Sequence, residues 1–145
     1  MRVSFAVQTR AAPQGSKRSL GNGVMVESSK RVKPFRQDVR FAAMDQKLPE
    51  GWPMDAPMKA SYRFMFRRPK SHFTSKGELR KGAQMEATSR GLGDIEKLAR
   101  AASDALSNVL FNDDSQIVDM HISKSYAHCN MVVISLEPIA NSGIQ

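Results

Sequence analysis

Apolar and polar residues alternate strictly in two stretches of the chain, and this pattern predicts β-strands. In the segment "RVSFAV" the alternating apolar residues are Val3, Phe5 and Val7. In "MKASYRFMFRR" they are Ala60, Tyr62, Phe64 and Phe66. Apolar runs in "GVMVE", "IVDMHIS" and "NMVVISLEP" predict three further strands. We expect the last two to form a hairpin around "KSYAHC".

Two other stretches have the three-to-four residue apolar spacing of an amphipathic helix. The segment "KPFRQDVRFAAMDQ" has Phe35, Val39 and Ala42 or Ala43 on one face, and Pro34 suits a first helical turn. A second and stronger helix is predicted to begin after Asp94, a favourable N-cap residue. Its apolar face is predicted to consist of Ile95, Leu98, Ala99, Ala102, Ala105, Leu106, Val109 and Leu110.

Strands and helices in this mixed order predict an α/β or α+β fold, with helices packed on a mixed β-sheet. The 145 residues suit a single domain. Residues 67–91 show no apolar period and are rich in Lys and Arg, which predicts a long, basic and mobile loop. Loops of this length in a compact domain serve a function or are disordered, and both alternatives are open for this one.

Cysteine content and hydropathy limit the class of protein. The chain has one Cys, Cys129, so it forms no internal disulfide, which favours a reducing intracellular compartment. No apolar run approaches the length that spans a bilayer, and the N-terminus lacks the apolar core of a secretory signal. We therefore expect a cytoplasmic protein without a membrane partner.

The charge of the chain is strongly positive and unevenly distributed. The formal net charge is +8, and residues 1–40 hold nine Lys and Arg against two acids. Residues 111–145 hold four acids against one Lys. A basic surface with a segregated acidic patch suggests a polyanionic partner, and nucleic acid is the leading candidate. The predicted phosphate contacts are Lys17, Arg18, Lys30, Arg31, Lys33, Arg67, Arg68, Lys70, Lys76, Arg80 and Lys81.

Carboxylates lie on both sides of the second predicted helix. Asp94 and Glu96 stand at its start, and Asp113 and Asp114 follow its end. In one interpretation Asp94 is a helix cap, and Glu96, Arg100 and Asp104 form a surface ladder of ion pairs at four-residue spacing. In the other, the carboxylates on the two sides converge and hold Mg²⁺, which prefers oxygen ligands, against a scissile phosphate.

The segment "GDIEKLARAASDALSNVLFNDDSQIVD" resembles the central motif of RusA-type Holliday junction resolvases. Its pattern is acid-x-acid, an amphipathic helix ending in Asp-Ala-Leu, an aromatic residue, and Asp-Asp-Ser-Gln-Ile. The opening "APQGSKRSLGNGVMVESSKRVKPFRQDVRFAA" is similar to the N-terminal arm and first helix of phage-borne members. The resemblance extends over nearly the whole chain.

This resemblance implies a small, dimeric, Mg²⁺-dependent endonuclease that cuts four-way DNA junctions symmetrically in recombination and repair. By position, the family's metal-binding acids correspond to Asp94, Glu96 and Asp114, with Asp113 beside them. Its catalytic Lys corresponds to Arg100. Mn²⁺ is a possible substitute for Mg²⁺, and no small organic cofactor is implied.

Two departures from the family pattern affect the predicted site. Glu96 replaces the more familiar Asp, and its longer side chain shifts the metal slightly. Arg100 keeps the positive charge of Lys but does not act as a proton donor. These departures leave two other functions open: a non-catalytic module that binds branched DNA, and a structural basic protein whose acids only cap and bridge.

Overall fold

The structure of the chain, a computed structural model, describes residues 1–15, 17–21, 24–27 and 30–140. It contains six strands and two α-helices within this part of the chain. In chain order they are β1 (Val3–Val7), β2 (Lys17–Gly21), β3 (Val24–Glu27), α1 (Val32–Met44), β4 (Met58–Arg67), α2 (Ile95–Leu106), β5 (Ile117–Ala127) and β6 (Met131–Pro138). The predicted α+β class is confirmed.

Four of the strands form one mixed sheet in the order β1-β6-β4-β5. Strand β6 is antiparallel to both of its neighbours, and β5 is parallel to β4. The remaining strands, β2 and β3, form a separate antiparallel pair. The central strand β4 buries every second side chain, as its alternating pattern predicts, and these side chains are Met58, Ala60, Tyr62, Phe64 and Phe66.

The predicted hairpin of β5 and β6 is wrong, because β4 lies between these two strands. The physical reason is burial. Strand β4 has a continuous buried face and takes the centre of the sheet, whereas β5 is mostly exposed along its first half, which suits an outer strand. Since β5 runs parallel to β4, the chain needs a long crossover between them, and α2 lies within that crossover.

Helix α1 packs on α2, and the two helices cover one face of the sheet. On α1, Phe35 and Val39 are buried, and the ring of Phe35 meets that of Phe64 edge-on at a centroid distance of 6.4 Å. Helix α2 ends at Leu106, four residues before the predicted end. There Asn108 adopts a left-handed φ of 67°, which Asn tolerates and a continuing helix does not permit.

The basic segment between β4 and α2 has local hydrogen-bonded structure. Two short 3-10 turns lie at Lys70–His72 and Arg90–Leu92, and Phe73 pairs with Leu79 in a tight antiparallel bridge. Its predicted mobility stays a prediction. In the described part of the chain, no helix has the length and apolar character needed to cross a membrane.

Candidate active site

Helix α2 begins in a tight contact between Gly93 and the N-terminal segment. Gly93 has a φ of 91°, and a Cβ at this position would lie 2.8 Å from Cγ of Pro13. Asp94 is the N-cap residue, but its side chain makes no capping hydrogen bond and is exposed. The structure therefore confirms where the helix begins, and it leaves the Asp94 carboxylate available for another ligand.

A cleft of about 270 Å³ lies between α2 and the start of β5. Three of the charged residues predicted for the site line it: Glu96 and Arg100 from α2, and Asp114 from the turn before β5. Its remaining lining residues are Ala99, Ser103, Ile117, Met120 and Ile122. The carboxylates from the two sides of α2 thus meet in one cleft, as the sharper interpretation of the sequence predicts.

Two carboxylates, those of Glu96 and Asp114, line this cleft. Among the described residues, neither Glu96 nor Asp114 has a cationic group within 4 Å. Hard divalent cations prefer such carboxylate oxygens together with water. The same part of the chain contains no group of three His, Cys, Asp or Glu side chains close enough to hold a metal. Asp94 does not line the cleft, so only two of the three predicted ligands do.

The floor of the cleft contains a buried polar pair. The Tyr62 hydroxyl and Ser103 Oγ are 2.8 Å apart, and both residues are buried. Burial raises the pKa of Tyr62 well above its ordinary value; the Ser103 hydrogen bond opposes this shift and the charge of Asp114 adds to it. Ser103 also lines the cleft, so this buried pair lies next to the cleft that Asp114 lines.

The turn Asp114–Gln116 sets the position of Asp114. Asp113 precedes it and accepts a hydrogen bond from the Ser115 N–H at 3.0 Å. Hydrogen bonding from the Ser115 side chain, and then from its backbone, lowers the pKa of the Asp113 carboxyl. Gln116 Oε1 accepts from the backbone N–H groups of Asn112 and Asp113, which completes a capping box. Asp113 was predicted beside the catalytic acids, but it serves the turn and does not line the cleft.

Gln116 also fastens this turn to the loop before β4. Its Nε2 donates to the backbone carbonyl oxygens of Met54 and Ala56, both at 2.8 Å. One side chain therefore makes four hydrogen bonds to backbone groups of two segments. The position of Asp114 depends on these contacts, since Asp114 lies inside the turn that Gln116 holds.

Arg100 does not form the predicted ion-pair ladder. The described residues show no ion pair of Arg100 with Glu96 or Asp104, and Asp104 instead faces Arg36 at 3.7 Å. Arg100 lies against Gly15 of the N-terminal segment, where a Cβ would come within 3.3 Å of Cζ and closer still to Nη1. The neighbouring Gln14 N–H donates to the carbonyl of Lys97 at 3.0 Å, which ties this segment to α2.

A lysine on β5 contacts the entry of α2. Lys124 Nζ donates to the carbonyl oxygen of Gly93 at 2.8 Å, and Lys124 is half-buried. The cation thereby holds the peptide that precedes Asp94. It also places positive charge beside the N-terminus of α2, where Asp94 and Glu96 lie.

The predicted phosphate contacts fall into three groups. Lys17 and Arg18 belong to β2, but their side chains lie outside the described residues. The exposed residues Lys30, Arg31 and Lys33 surround the start of α1. The others belong to the end of β4 or to the segment that follows: Arg67, Arg68, Lys70, Lys76, Arg80 and Lys81.

Two arginines of this segment have structural partners. Arg68 Nη1 donates to the carbonyl of Gln84 at 2.6 Å, and its guanidinium stacks over the ring of Tyr126 at 4.6 Å. Arg80 Nε donates to the carbonyl of Ser71 at 3.1 Å. These contacts stabilise the fold of the segment, so the two arginines have a structural role besides any contact to DNA.

Sequence reasoning assigned no role in the site to four of its residues: Gly15, Tyr62, Gln116 and Lys124. Tyr62 and Lys124 reach the site only because β4 and β5 pair in parallel register, with Tyr62 opposite Ile122 and Phe64 opposite Lys124. Gly15 meets Arg100 through tertiary folding alone. For Gln116, its place three residues after Asp113 is a capping-box signal that the sequence does contain.

Comparison with known proteins identifies relatives of the chain. A family model described as "Endodeoxyribonuclease RusA" matches residues 7–137, which include every residue of the cleft. A protein of Bacillus subtilis (strain 168), named "Uncharacterized protein YqaN", is 27% identical over 140 residues. That match covers 95% of this chain and 97% of the relative.

Proposed function

Because the chain belongs to the RusA endodeoxyribonuclease family, we propose that it resolves four-way DNA junctions by paired, Mg²⁺-dependent phosphodiester cuts. Family membership makes the protein a structure-specific nuclease that hydrolyses DNA and binds branched DNA. The metal, the symmetry of the cuts and the residues that make them are the proposal. The observation that carries it is the cleft in which Glu96, Arg100 and Asp114 meet.

Asp94, Glu96 and Asp114 are the proposed metal ligands. Glu96 and Asp114 supply carboxylate oxygens from opposite walls of the cleft, and Asp94 adds a third from the start of α2. These residues would hold Mg²⁺, or Mn²⁺ in its place, and the ion would supply Lewis-acid chemistry at the scissile phosphate and at a bound water. The longer side chain of Glu96 reaches into the cleft from the first turn of α2, where a shorter Asp would reach less far.

Arg100 is the proposed catalytic cation. It lines the cleft one helical turn after Glu96, and its guanidinium offers a fork of N–H donors to phosphate oxygens. Fixed positive charge at this position stabilises the charge that develops on the phosphate in the transition state. Arginine remains charged throughout, so in this protein the leaving group takes its proton from solvent and not from Arg100.

Asp113 has a supporting role in this proposal. Its hydrogen bond to Ser115 and the contacts of Gln116 keep the turn closed. A closed turn holds the Asp114 carboxylate opposite Glu96, so that a metal meets two preformed ligands. Preformed ligands reduce the reorganisation that metal binding requires.

The cations outside the cleft are the proposed contacts to the phosphate backbone. Lys30, Arg31 and Lys33 at the start of α1 are exposed, as are Lys70, Lys76 and Lys81 in the segment after β4. Together with Lys17, Arg18, Arg67, Arg68 and Arg80 they offset the acidic cleft, which by itself repels DNA. Such contacts position the nucleic acid and add a strong dependence of affinity on salt.

We propose that the protein acts as a homodimer. A four-way junction has near two-fold symmetry, and a C2 dimer presents two identical clefts related by the same symmetry. The apolar strands β4 and β6 have neighbours on both edges of the described sheet, so neither can pair edge to edge with a strand of a second subunit. The outer strands of the described sheet are β1 and β5.

A mobile four-way junction with each strand labelled tests the proposed function. Purified protein with Mg²⁺ should nick two opposing strands at symmetry-related positions, and a chelator should stop cleavage while binding persists. Linear duplex of the same sequence is the control for structure selectivity. Binding of the junction without any nick, in the presence of Mg²⁺ or Mn²⁺, would refute the proposal.

A further inference from the structure

A second polar pocket lies at the end of the sheet, away from the catalytic cleft. Its volume is about 260 Å³, and we call it the terminal pocket. It forms where the chain leaves β1, where β4 ends, and in the turn between β5 and β6. Its lining residues are Gln8, Thr9, Arg10, Arg67, His128, Cys129 and Asn130.

The terminal pocket concentrates positive charge. Arg10 and Arg67 both line it, and Arg31 at the start of α1 acts on Arg10 electrostatically. Partial burial, and then the repulsion from Arg31, lower the pKa of Arg10. Within the described residues, no carboxylate lies within 4 Å of these three guanidinium groups. The hydroxyl of Thr9, which lines the pocket, donates a hydrogen bond to the Asp38 carboxylate at 2.8 Å.

The backbone around the terminal pocket is fixed by hydrogen bonds. The Arg67 N–H donates to Asn130 Oδ1 at 2.9 Å, and the Arg68 N–H donates to the carbonyl of Ala127 at 3.1 Å. Because the carbonyl oxygen of the Asn130 side chain is occupied, its NH₂ group is the part left to donate to a ligand. The pocket therefore offers two guanidinium groups and an amide donor on a rigid frame.

We propose that the terminal pocket binds a backbone phosphate of the DNA, with Arg10 and Arg67 as its charged ligands. This inference rests on the proposed function, because it assigns a second contact on the same DNA. A phosphate is an anion of suitable size that accepts several hydrogen bonds, and the fork geometry of arginine matches it. No Phe, Tyr or Trp lines the pocket, so it lacks the platform on which a nucleobase stacks.

The register of β4 and β5 indicates how far this phosphate lies from the cut. Tyr62 pairs with Ile122 at the catalytic cleft, and Arg67 pairs with Ala127 beside the terminal pocket. Five strand residues separate these positions, which corresponds to roughly 17 Å at about 3.3 Å per residue. The terminal pocket is therefore separated from the cleft along the direction of the strand. A contact at that distance orients a junction arm relative to the cleft.

Cys129 is a reporter for occupancy of the terminal pocket. It is the single cysteine of the chain, it is half-buried, and it lines this pocket. A thiol reagent therefore reports on the terminal pocket alone. In a chelator, which prevents cleavage, a bound junction should slow the reaction of Cys129 severalfold, and added salt should remove this protection.

Arg10→Gln and Arg67→Gln should each weaken the protection of Cys129 and lower junction affinity. Each should reduce the slope of log affinity against log salt by about 0.9, the value for one lost phosphate contact on duplex DNA. Arg2→Gln is the matched control, because Arg2 is an exposed arginine before the opposite end of β1.

Three results would overturn the assignment. They are an unprotected Cys129 on a bound junction, an Arg10→Gln variant that matches Arg2→Gln in affinity and salt slope, and protection by inorganic phosphate but not by DNA. The last result would make the pocket a site for a free anion. Protection of Cys129 is measured in a chelator, where no cleavage occurs. The test of the pocket therefore gives a result even if the protein does not cut DNA. Arg67→Gln, at an exposed position, keeps the test available if Arg10→Gln misfolds.

Discussion

Gly15 and Arg100 are in direct contact, and the contact leaves no room for a larger residue at position 15. A Cβ there would lie 3.3 Å from Cζ of Arg100 and closer still to Nη1. Gly15 also has a φ of 107°, in the left-handed region that favours glycine. The N-terminal segment thus packs against the guanidinium of Arg100, the cation that lines the catalytic cleft.

Gly15→Ala should lower the cleavage rate because the added methyl group displaces the Arg100 guanidinium. In an Arg100→Lys background the same change should cost less, since a compact ammonium does not occupy the space beside residue 15. Single-turnover cleavage by the four variants of this cycle provides the measurement. Arg100→Lys alone should retain substantial activity.

Gly51→Ala is the control for backbone strain in that cycle. Gly51 has a φ of 77°, and a Cβ added there would meet nothing within 4 Å. The control should therefore change stability without changing the cleavage rate of folded protein. An equal loss from Gly15→Ala with Arg100 and with Lys at position 100 would show that the contact does not position the cation.

The elements with strong periodicity could be predicted from the sequence, and their neighbours in the sheet could not. The alternation of β4 and the apolar face of α2 follow from local spacing, and both formed. Strand β5 pairs with β4 because β4 lies at the centre of the sheet and has a neighbour on each edge. The local sequence patterns of β5 and β6 do not indicate which strand takes that central position.

The candidate site shows the same division between local and tertiary information. The acid motif placed Glu96, Arg100 and Asp114 together, and the cleft confirms that they meet. Lys124 and Gly15 became visible only in the folded chain, because strand register and the path of the N-terminal segment bring them to α2. A lysine on a strand and a glycine in a loop have no distinguishing pattern of their own.

Tyr62→Phe should destabilise the protein through the buried pair beneath the cleft. The change leaves the buried Ser103 hydroxyl without its 2.8 Å partner, at a cost of about 1–2 kcal/mol in the free energy of unfolding. Ser103→Ala should cost a similar amount. The double variant should cost less than the sum of the two, which urea unfolding would detect. Additive losses in the free energy of unfolding would show that Tyr62 and Ser103 are not energetically coupled.

The same variants should change how stability depends on pH. Burial raises the Tyr62 pKa above its ordinary value of 10.0, so the folded state holds this proton more tightly than the unfolded state. Stability from this group is complete below pH 10 and is lost as the pH rises above it. The free energy of unfolding of Tyr62→Phe should therefore fall less steeply above pH 10 than that of the wild type.

Lys124→Met should slow cleavage more than it weakens junction binding. The change removes the hydrogen bond to the Gly93 carbonyl and the positive charge beside the start of α2. The peptide that places Asp94 then loses its support. Lys124→Arg should restore part of the rate, because it keeps both donor and charge. Equal losses in rate and affinity would assign Lys124 to DNA binding.

Replacing Lys70, Lys76 and Lys81 together with Gln should weaken binding and flatten its salt dependence. These side chains are exposed, and within the described residues they have no hydrogen-bond or ion-pair partner. Each lost phosphate contact should lower the salt slope by about 0.9. An unchanged slope would show that this segment does not touch DNA. Arg68 and Arg80 stay in place, because they hold the segment together.

Asp114→Asn compared with Asp113→Asn is the most direct test of the catalytic cleft. Asp114 lines the cleft, whereas Asp113 accepts a hydrogen bond from the Ser115 N–H. The side-chain oxygen of an Asn at position 113 can accept the same hydrogen bond. Each variant should be assayed for cleavage of a labelled four-way junction at saturating protein and Mg²⁺, with binding measured in a chelator.

The predicted result is that Asp114→Asn loses cleavage but binds the junction as tightly as wild type or more tightly, because a negative charge beside phosphate is removed. Asp113→Asn should keep most of the cleavage rate. Wild-type cleavage by Asp114→Asn, or a loss confined to Asp113→Asn, would contradict the assignment of this cleft as the catalytic centre.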